Sequence, residues 1–366
     1  MNKKPIVIIA AWLGFGLLAG VGAQPSLKEV YQKAFLIGAA GDLPGRYSEA
    51  ELANIKFHYQ VITPENCMKP QPLQPAEGAF NWGTADALVK WCQANNLKVW
   101  GHTLVWHAQT GRWFFEPGPD GRPVTRELAM ARLKSHIQTV VGRYKGRVIG
   151  WDVVNEAIND GGGAGTENLR QSNWQRTIGP DYLTLAFKWA HEADPQAQLY
   201  YNDYNIEMGA AQNRGKHANS LLLLKRLLKE GAPIHGVGIQ GHWSLNANFA
   251  DIEKAIENYA ALGLKVSISE LDVTVTGSNS GAFPGGERGG AVSDEAFQQQ
   301  ARVYGKLFEI FNRQAKNISR VTFWGISDRR SWRSRQQPLI FDAQLQPKPA
   351  LQAILDAAAG KRAAQP

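Results

Sequence analysis

KVWGHTLVWH at residues 98–107 and VIGWDVV at residues 148–154 are short apolar runs, rich in β-branched and aromatic residues. Residues 125–145, between them, carry apolar side chains at the spacing of an amphipathic helix. We predict strands over residues 98–106 and 148–154 with a helix between them. Two strands joined by a helix pair in parallel, which places this segment in the α/β class.

The same order of strand, polar loop and helix recurs along the chain. Further strands are predicted over residues 35–40, 59–64, 198–203, 236–242, 265–272 and 321–327. Further helices are predicted over residues 48–58, 81–95, 180–193, 210–230, 250–262, 293–316 and 347–359. Eight parallel strands that alternate with helices predict a single (β/α)8 TIM barrel, whose functional residues lie at the carboxyl ends of the strands.

Composition narrows the class of protein. A chain of 366 residues with 44% hydrophobic and 20% charged residues is typical of a folded domain, not of a disordered one. Two cysteines exclude a disulfide framework and a cysteine-based zinc site. The net charge of +8 comes without a nucleic-acid-binding motif, so we predict no nucleic-acid partner. The 12 tryptophans offer flat apolar faces that suit sugar rings or exposed bases.

The N-terminus has the pattern of a secretory signal peptide over residues 1–23. A short basic end is followed by an apolar run and by Val21-Gly22-Ala23 before Gln24. The apolar run is short for a membrane anchor, so we predict a secreted protein, extracellular or periplasmic, with no membrane contact after cleavage. The catalytic domain is predicted over residues 24–360, followed by a frayed tail over residues 361–366. Cys67 and Cys92 could pair or remain two separate buried thiols.

Polar side chains crowd the predicted strand ends. Buried polar groups are costly unless they have partners, so their convergence at one rim indicates a binding site. Glu156 and Glu270 follow strands on opposite sides of the barrel mouth, and paired carboxylates across a bound chain are the groups that hydrolyse glycosidic bonds. Asp272 shares a strand face with Glu270, and His242 could bridge the two carboxylates. No HExxH or close His-x-His pattern occurs, so we predict neither a metal nor a cofactor.

These motifs resemble those of glycoside hydrolase family 10, the endo-1,4-β-xylanases. The resemblance covers roughly residues 27–357 in the order of the family. The motifs that carry it are GHTLVWH at 101–107, WDVVNE at 151–156, NDYN at 202–205, GIQGH at 238–242, SELD at 269–272, TFWG at 322–325, SW at 331–332 and PLIFD at 338–342.

The resemblance implies a retaining mechanism in a monomer, with xylan and xylo-oligosaccharides as substrates. Glu156 would be the general acid/base and Glu270 the nucleophile, with their carboxyl groups about 5–5.5 Å apart. Asn155 would hold the 2-hydroxyl of the cleaved sugar, and Tyr204 would be a platform for the next one. The other residues with implied roles in sugar binding or in support of Glu270 are Glu65, Asn66, Lys69, His102, Trp106, Gln109, Gln240, His242, Asp272, Trp324 and Trp332.

Other interpretations remain at this stage. A β-1,4-glucanase of the same architecture would carry the same carboxylates, and a non-catalytic polysaccharide-binding barrel would share the fold. Four arginines, Arg329, Arg330, Arg333 and Arg335, predict either a preference for xylan that bears uronic acid or a solvated basic loop. The glycine-rich stretch 277–290 is predicted to be an insertion at the barrel mouth.

Overall fold

The computed structural model of the protein describes residues 25–118, 121–160, 165–276 and 292–361. The predicted leader at 1–23, the loop at 277–290 and residues 362–366 of the predicted tail lie outside the described residues. The strands are β1 (Leu36–Ala40), β2 (Val61–Thr63), β3 (Lys98–Val105), β4 (Gly150–Asn155), β5 (Gln198–Asp203), β6 (Gly236–Ile239), β7 (His242–Ser244), β8 (Lys265–Thr274) and β9 (Ile318–Phe323).

Eight of these strands form a closed parallel barrel, which confirms the predicted fold. Each of β1 to β5 pairs in parallel with the next strand along the chain, and β9 returns to pair with β1. The barrel closes where β6 pairs with β8, with Gly236 opposite Lys265. The short strand β7 extends the barrel wall beside β8, with His242 opposite Asp272. The carboxyl ends of all these strands therefore meet at one rim.

Helices cover the outside of the barrel. Within the described residues they are α1 (Leu27–Val30), α2 (Glu49–His58), α3 (Pro70–Leu73), α4 (Gly83–Ala94), α5 (Arg126–Arg143), α6 (Asn173–Thr177), α7 (Tyr182–Ala193), α8 (Gly215–Lys229), α9 (Phe249–Ala260), α10 (Asp294–Arg313) and α11 (Pro349–Ala358). Helix α2 begins with a capping box: Ser48 Oγ accepts from the backbone N–H of Glu51, whose carboxylate accepts from Ser48 N–H.

Two predicted elements differ from the observed ones for a local reason. The helix predicted over residues 210–230 begins only at Gly215, because Gly209 and Asn213 have φ values of 86° and 49°. A left-handed residue cannot continue a right-handed helix. The strand predicted over residues 236–242 divides after Ile239, where Gly241 has a φ of 81°. This break turns Gln240 and His242 toward the mouth of the barrel.

The core lies between the barrel and its helices. Cys67 and Cys92 are both buried within it and unpaired, so of the two alternatives the structure has separate thiols. Burial raises the pKa of the Cys92 thiol to about 12. In the part of the chain that the structure describes, no helix is both long and apolar enough to span a bilayer.

Candidate active site

An open cleft of about 400 Å³ lies at the carboxyl ends of the strands. All the predicted site residues line it except Asp272, which lies directly behind His242. The lining also includes His107, Asp160 and Arg170. The structure therefore brings together the side chains that the strand-end pattern and the family resemblance predicted.

Glu270 on β8 is buried and held at both carboxylate oxygens. Asn202 donates its amide to Oε1 at 2.7 Å, and His242 Nε2 lies 3.3 Å from Oε2. Burial raises the pKa of Glu270, but the hydrogen bond from His242 and the nearby charges lower it by more than burial raises it. The pKa of Glu270 is therefore below its usual value. Glu270 is therefore a carboxylate at neutral pH.

His242 carries the positive charge that stabilises Glu270. Its Nδ1 lies 3.0 Å from Asp272 Oδ2, while its Nε2 faces Glu270. Burial lowers the pKa of His242, but the two carboxylates outweigh burial and raise it to about 9. The raised pKa favours a charged ring, which lies between the two acids in the bridging position that the sequence suggested.

Glu156 follows β4 in a conformation that neighbouring residues stabilise. Its φ of 57° lies in the left-handed region, which is unfavourable for a residue with a side chain. Its N–H donates to the carbonyl of Asn202 at 2.8 Å, and its carbonyl accepts from Arg170 Nε at 3.1 Å. These two bonds fix the turn and hold the carboxyl group in the cleft.

The Glu156 carboxylate accepts hydrogen bonds from two sides. Trp106 Nε1 donates to Oε2 at 2.8 Å, and Gln240 Nε2 donates to Oε1 at 2.9 Å. Asn202 also donates to Asn155 Oδ1 at 2.9 Å. The Asn202 amide group therefore contacts both Glu270 and Asn155, and it couples the two catalytic strands β4 and β8 across the cleft floor.

Polar side chains gather at one end of the cleft. Lys69 Nζ donates to Asn66 Oδ1 at 3.3 Å and lies 4.9 Å from the centre of the Trp106 ring. Burial lowers the pKa of Lys69, and burial together with the charge of Asp42 raises the pKa of Glu65 to about 7. Gln109 Nε2 reaches Asn66 Oδ1 at 3.4 Å. This end offers amide, ammonium and carboxyl groups in a small space.

Aromatic rings form the walls of the cleft. Trp324 meets His102 edge-on with ring centres 5.3 Å apart, and His102 Nδ1 is anchored at 2.9 Å by Asp152. Trp332 donates its indole N–H to Asp272 Oδ2 at 2.9 Å, so this wall is tied to the carboxylate behind His242. Apolar walls with a few oriented polar groups are typical of clefts that bind small molecules.

The opposite end of the cleft is built around Tyr204. Its hydroxyl donates to Asp160 Oδ2 at 2.5 Å and accepts from Arg170 at 3.0 Å. Lys216 Nζ lies 3.4 Å from the centre of the ring and 3.0 Å from Asp203. His107, whose pKa burial and Arg170 lower to about 4, lines the same end.

Several residues of the site had no role predicted from the sequence. His107 and Asn202 lie inside quoted motifs, and their position at strand ends was a usable signal. Asp160 and Arg170 lie in the loop after β4, where no spacing marks them. The loop folds back so that Arg170 reaches the Glu156 carbonyl, a contact that only the tertiary structure brings about.

The arginine cluster contributes no residue to the cleft lining. Arg330 pairs with Glu51 at 2.7 Å, and Arg333 is buried beside Asp272. Arg329 and Arg335 are exposed. The hypothesis of a preference for xylan that bears uronic acid has no support from Arg330 and Arg333, because both have carboxylate partners within the protein.

Among the described residues, no group of three or more His, Cys, Asp or Glu side chains is arranged to hold a metal ion. The site instead combines a buried ionised carboxylate, a second carboxylate across the cleft and aromatic walls. A closed (β/α)8 barrel with this pair at the carboxyl ends of β4 and β8 defines a glycoside hydrolase.

The chain belongs to glycosyl hydrolase family 10, whose sequence profile matches residues 26–357. It is 40% identical over 339 residues to endo-1,4-beta-xylanase B of Paenibacillus barcinonensis. This alignment covers 90% of this chain and 98% of the relative. It is 40% identical to endo-1,4-beta-xylanase A of Thermoanaerobacterium saccharolyticum and 41% identical to exoglucanase XynX of Acetivibrio thermocellus. The chain spans less than a third of these two longer proteins, 28% and 29% of their lengths.

Solved structures agree with this membership. An intracellular xylanase of Thermoanaerobacterium saccharolyticum, solved as an alanine variant with xylotriose, matches with a TM-score of 0.81 at 40% identity, over 91% of this chain and 99% of that one. A family 10 endoxylanase from a sugarcane soil metagenome matches with a TM-score of 0.83 at 35% identity, over 92% of this chain and all of that one.

Proposed function

We propose that this protein is a retaining endo-1,4-β-xylanase that hydrolyses internal bonds of xylan by double displacement. The observation that carries the proposal is the different environment of the two carboxylates in one cleft. Glu270 is buried against a charged His242, whereas Glu156 accepts neutral N–H donors from Trp106 and Gln240. The xylanases among the relatives support xylan as the substrate.

In the first step, Glu270 attacks the anomeric carbon of the sugar bound beside Trp324. The glycosidic bond breaks as Glu156 gives its proton to the leaving oxygen, and a glycosyl ester forms on Glu270. The leaving chain departs past Tyr204. The negative charge on Glu270 is neutralised as the ester forms, and the contacts from Asn202 and His242 hold the carboxyl group in position.

In the second step, Glu156 takes a proton from water, and the oxygen of that water attacks the anomeric carbon. The ester bond to Glu270 breaks and its electron pair returns to the carboxylate. His242 again stabilises the charge, and the sugar leaves with its original anomeric configuration. The enzyme regains a protonated Glu156 and an ionised Glu270.

Azide rescue of variants tests both roles on an aryl xylobioside. Glu270→Ala should lose activity, and azide should restore cleavage with an inverted glycosyl azide. Glu156→Ala should form the intermediate from an activated substrate, and azide should release a glycosyl azide of retained configuration. Glu257→Ala on α9 is the control and should match the parent protein. Full activity of either catalytic variant would refute the proposal.

A β-1,4-glucanase is the second candidate, because one relative at 41% identity is named an exoglucanase. Glucose carries a hydroxymethyl group that xylose lacks, so the walls Trp324 and Trp332 decide whether it fits. Release of reducing sugar from xylan and from carboxymethylcellulose, measured side by side, separates the two. Equal or greater release from the cellulose substrate would favour the glucanase.

We also propose that the protein is exported and works as a monomer. The basic and apolar pattern of residues 1–23 supports export, although one similar xylanase is described as intracellular. Expression of the full chain in its host should yield an extracytoplasmic protein whose first residue is Gln24. An unprocessed N-terminus in the cytoplasm would contradict export, and a dimeric mass by light scattering would contradict the monomer.

A further inference from the structure

Arg333 is a buried cation in the loop after β9 that does not line the cleft. Its side chain is only 3% exposed, and its Nη1 lies 3.5 Å from Asp272 Oδ1. Its guanidinium also packs 4.5 Å from the centre of the Trp332 ring. A buried arginine loses much hydration, so it is placed there at a cost that its partners must offset.

The contacts of Arg333 begin a line of alternating charges that ends at the nucleophile. Arg333 contacts Asp272 at 3.5 Å, Asp272 contacts His242 at 3.0 Å, and His242 contacts Glu270 at 3.3 Å. The side chains of all four are at most 7% exposed. Within this line each carboxylate has a cation of its own, Arg333 for Asp272 and His242 for Glu270.

We propose that Arg333 is a positioning residue for catalysis, which balances the charge of Asp272 so that His242 is left to keep Glu270 ionised. This inference rests on the proposed role of Glu270 as the nucleophile. It assigns to one member of the arginine cluster a function inside the catalytic machinery, without any contact with the sugar.

The expected effect of removing Arg333 follows from counting charges. Without it, Asp272 and Glu270 share one imidazolium, and the excess negative charge disfavours ionisation of Glu270. The pKa of Glu270 then rises toward its usual value. The other charged or titratable groups around Glu270 and Asp272 are unchanged by the substitution: Glu65, Lys69, His102, Glu156, Tyr304 and Arg320.

The test is the pH dependence of kcat/KM on an aryl xylobioside for Arg333→Met, Arg333→Gln and Arg333→Lys. In the Met and Gln variants the acid limb should move to higher pH by about half a unit to one unit. At a pH well below the midpoint of this limb, their kcat/KM relative to that at pH 7 should then fall by about three- to tenfold more than in the parent. Arg333→Lys keeps the positive charge, so the midpoint of its acid limb should lie close to that of the parent.

Arg330→Met is the matched control, because it removes an arginine of the same loop whose partner is Glu51 and not Asp272. Its acid limb should coincide with that of the parent. If Arg333→Met does not fold, Arg333→Gln keeps most of the volume and a donor for Asp272. A uniform loss of activity with an unmoved midpoint in both neutral variants would overturn the inference and leave Arg333 as a support for Trp332. An inactive parent protein would instead count against the proposed function.

Discussion

The chemistry of single residues here depends on the side chains and backbone groups that surround them. His242 is an imidazolium because Asp272 and Glu270 lie on either side of it, and Glu156 reaches the cleft because Asn202 and Arg170 hold its backbone. Substitution of such partners should change protonation and rate more than it changes sugar binding.

The charge of His242 predicts a pH dependence of stability. Its pKa is raised from 6.5 to about 9 on folding, so its stabilising contribution is complete below pH 6.5 and is lost as the pH rises through 9. The shift corresponds to about 3 kcal/mol for this buried group. Denaturant unfolding at pH 6.5 and 9.5 should show the free energy of unfolding of the parent falling by more than that of His242→Gln. Equal falls would contradict the charged histidine.

Asn202 predicts a rate effect at a residue with no sugar contact. Asn202→Ala removes the 2.7 Å hydrogen bond to Glu270 and the 2.9 Å bond to Asn155. Without these bonds Glu270 and Asn155 are no longer held in position, and a misplaced reacting group can cost about 100-fold, so kcat/KM should fall by about 10- to 100-fold. Asn248→Ala, which removes the N-cap of α9, should cost stability but leave kcat/KM unchanged. A fall of less than threefold in Asn202→Ala would refute this role.

At the level of elements, the strand ends pack so closely that some positions have no room for a side chain. Gly238 on β6 faces Asn202, and a Cβ there would lie 2.2 Å from Asn202 Oδ1. The absence of a side chain on one strand thus lets the next strand present its amide group to Glu270. Gly238 is therefore needed both for the packing of β6 against β5 and for the position of the Asn202 amide group.

Gly238→Ala is therefore expected to displace Asn202. We expect a loss of at least tenfold in kcat/KM and a lower melting temperature, because Asn202 is buried and cannot move freely. Gly142→Ala in α5 is the matched control, since a Cβ there meets nothing within 4 Å and should stabilise the helix by about 0.5–1 kcal/mol. Unchanged kinetics in Gly238→Ala would contradict the close packing.

Elements with clear periodicity were predictable from the sequence, and their interruptions were not. The helix starting at Ser48 and the strands before Glu156 and Glu270 agree with the structure because their patterns are local. The left-handed Asn213 and Gly241 divide predicted elements, since neither residue type forces that conformation. Arg170 was not predicted because its contact with Glu156 depends on how a loop folds back.

At the level of the whole molecule, the barrel interior is joined by an ion pair. Arg320 on β9 lies 3.3 Å from Asp152 on β4, and both side chains are 1% exposed. Asp152 also anchors His102 at the cleft floor. The interior below the site is therefore polar, and its stability depends on every member of this group having a partner.

Arg320→Met should lower the free energy of unfolding by about 3–5 kcal/mol, because it leaves the Asp152 charge buried without its cation. The double variant Arg320→Met/Asp152→Asn should recover part of this loss, since it removes the uncompensated charge. Denaturant titration of the two proteins and the parent measures both effects. A double variant no more stable than Arg320→Met would contradict this account.

The two unpaired thiols have a practical consequence for spectroscopy. Cys67 and Cys92 are the only cysteines of the chain, and burial raises the pKa of both, so neither presents a reactive thiolate to solvent. A cysteine introduced at an exposed rim position, such as Arg335, should therefore be the sole site of maleimide labelling in the native protein. Fluorescent or spin probes placed in this way would report how the cleft rim moves during turnover.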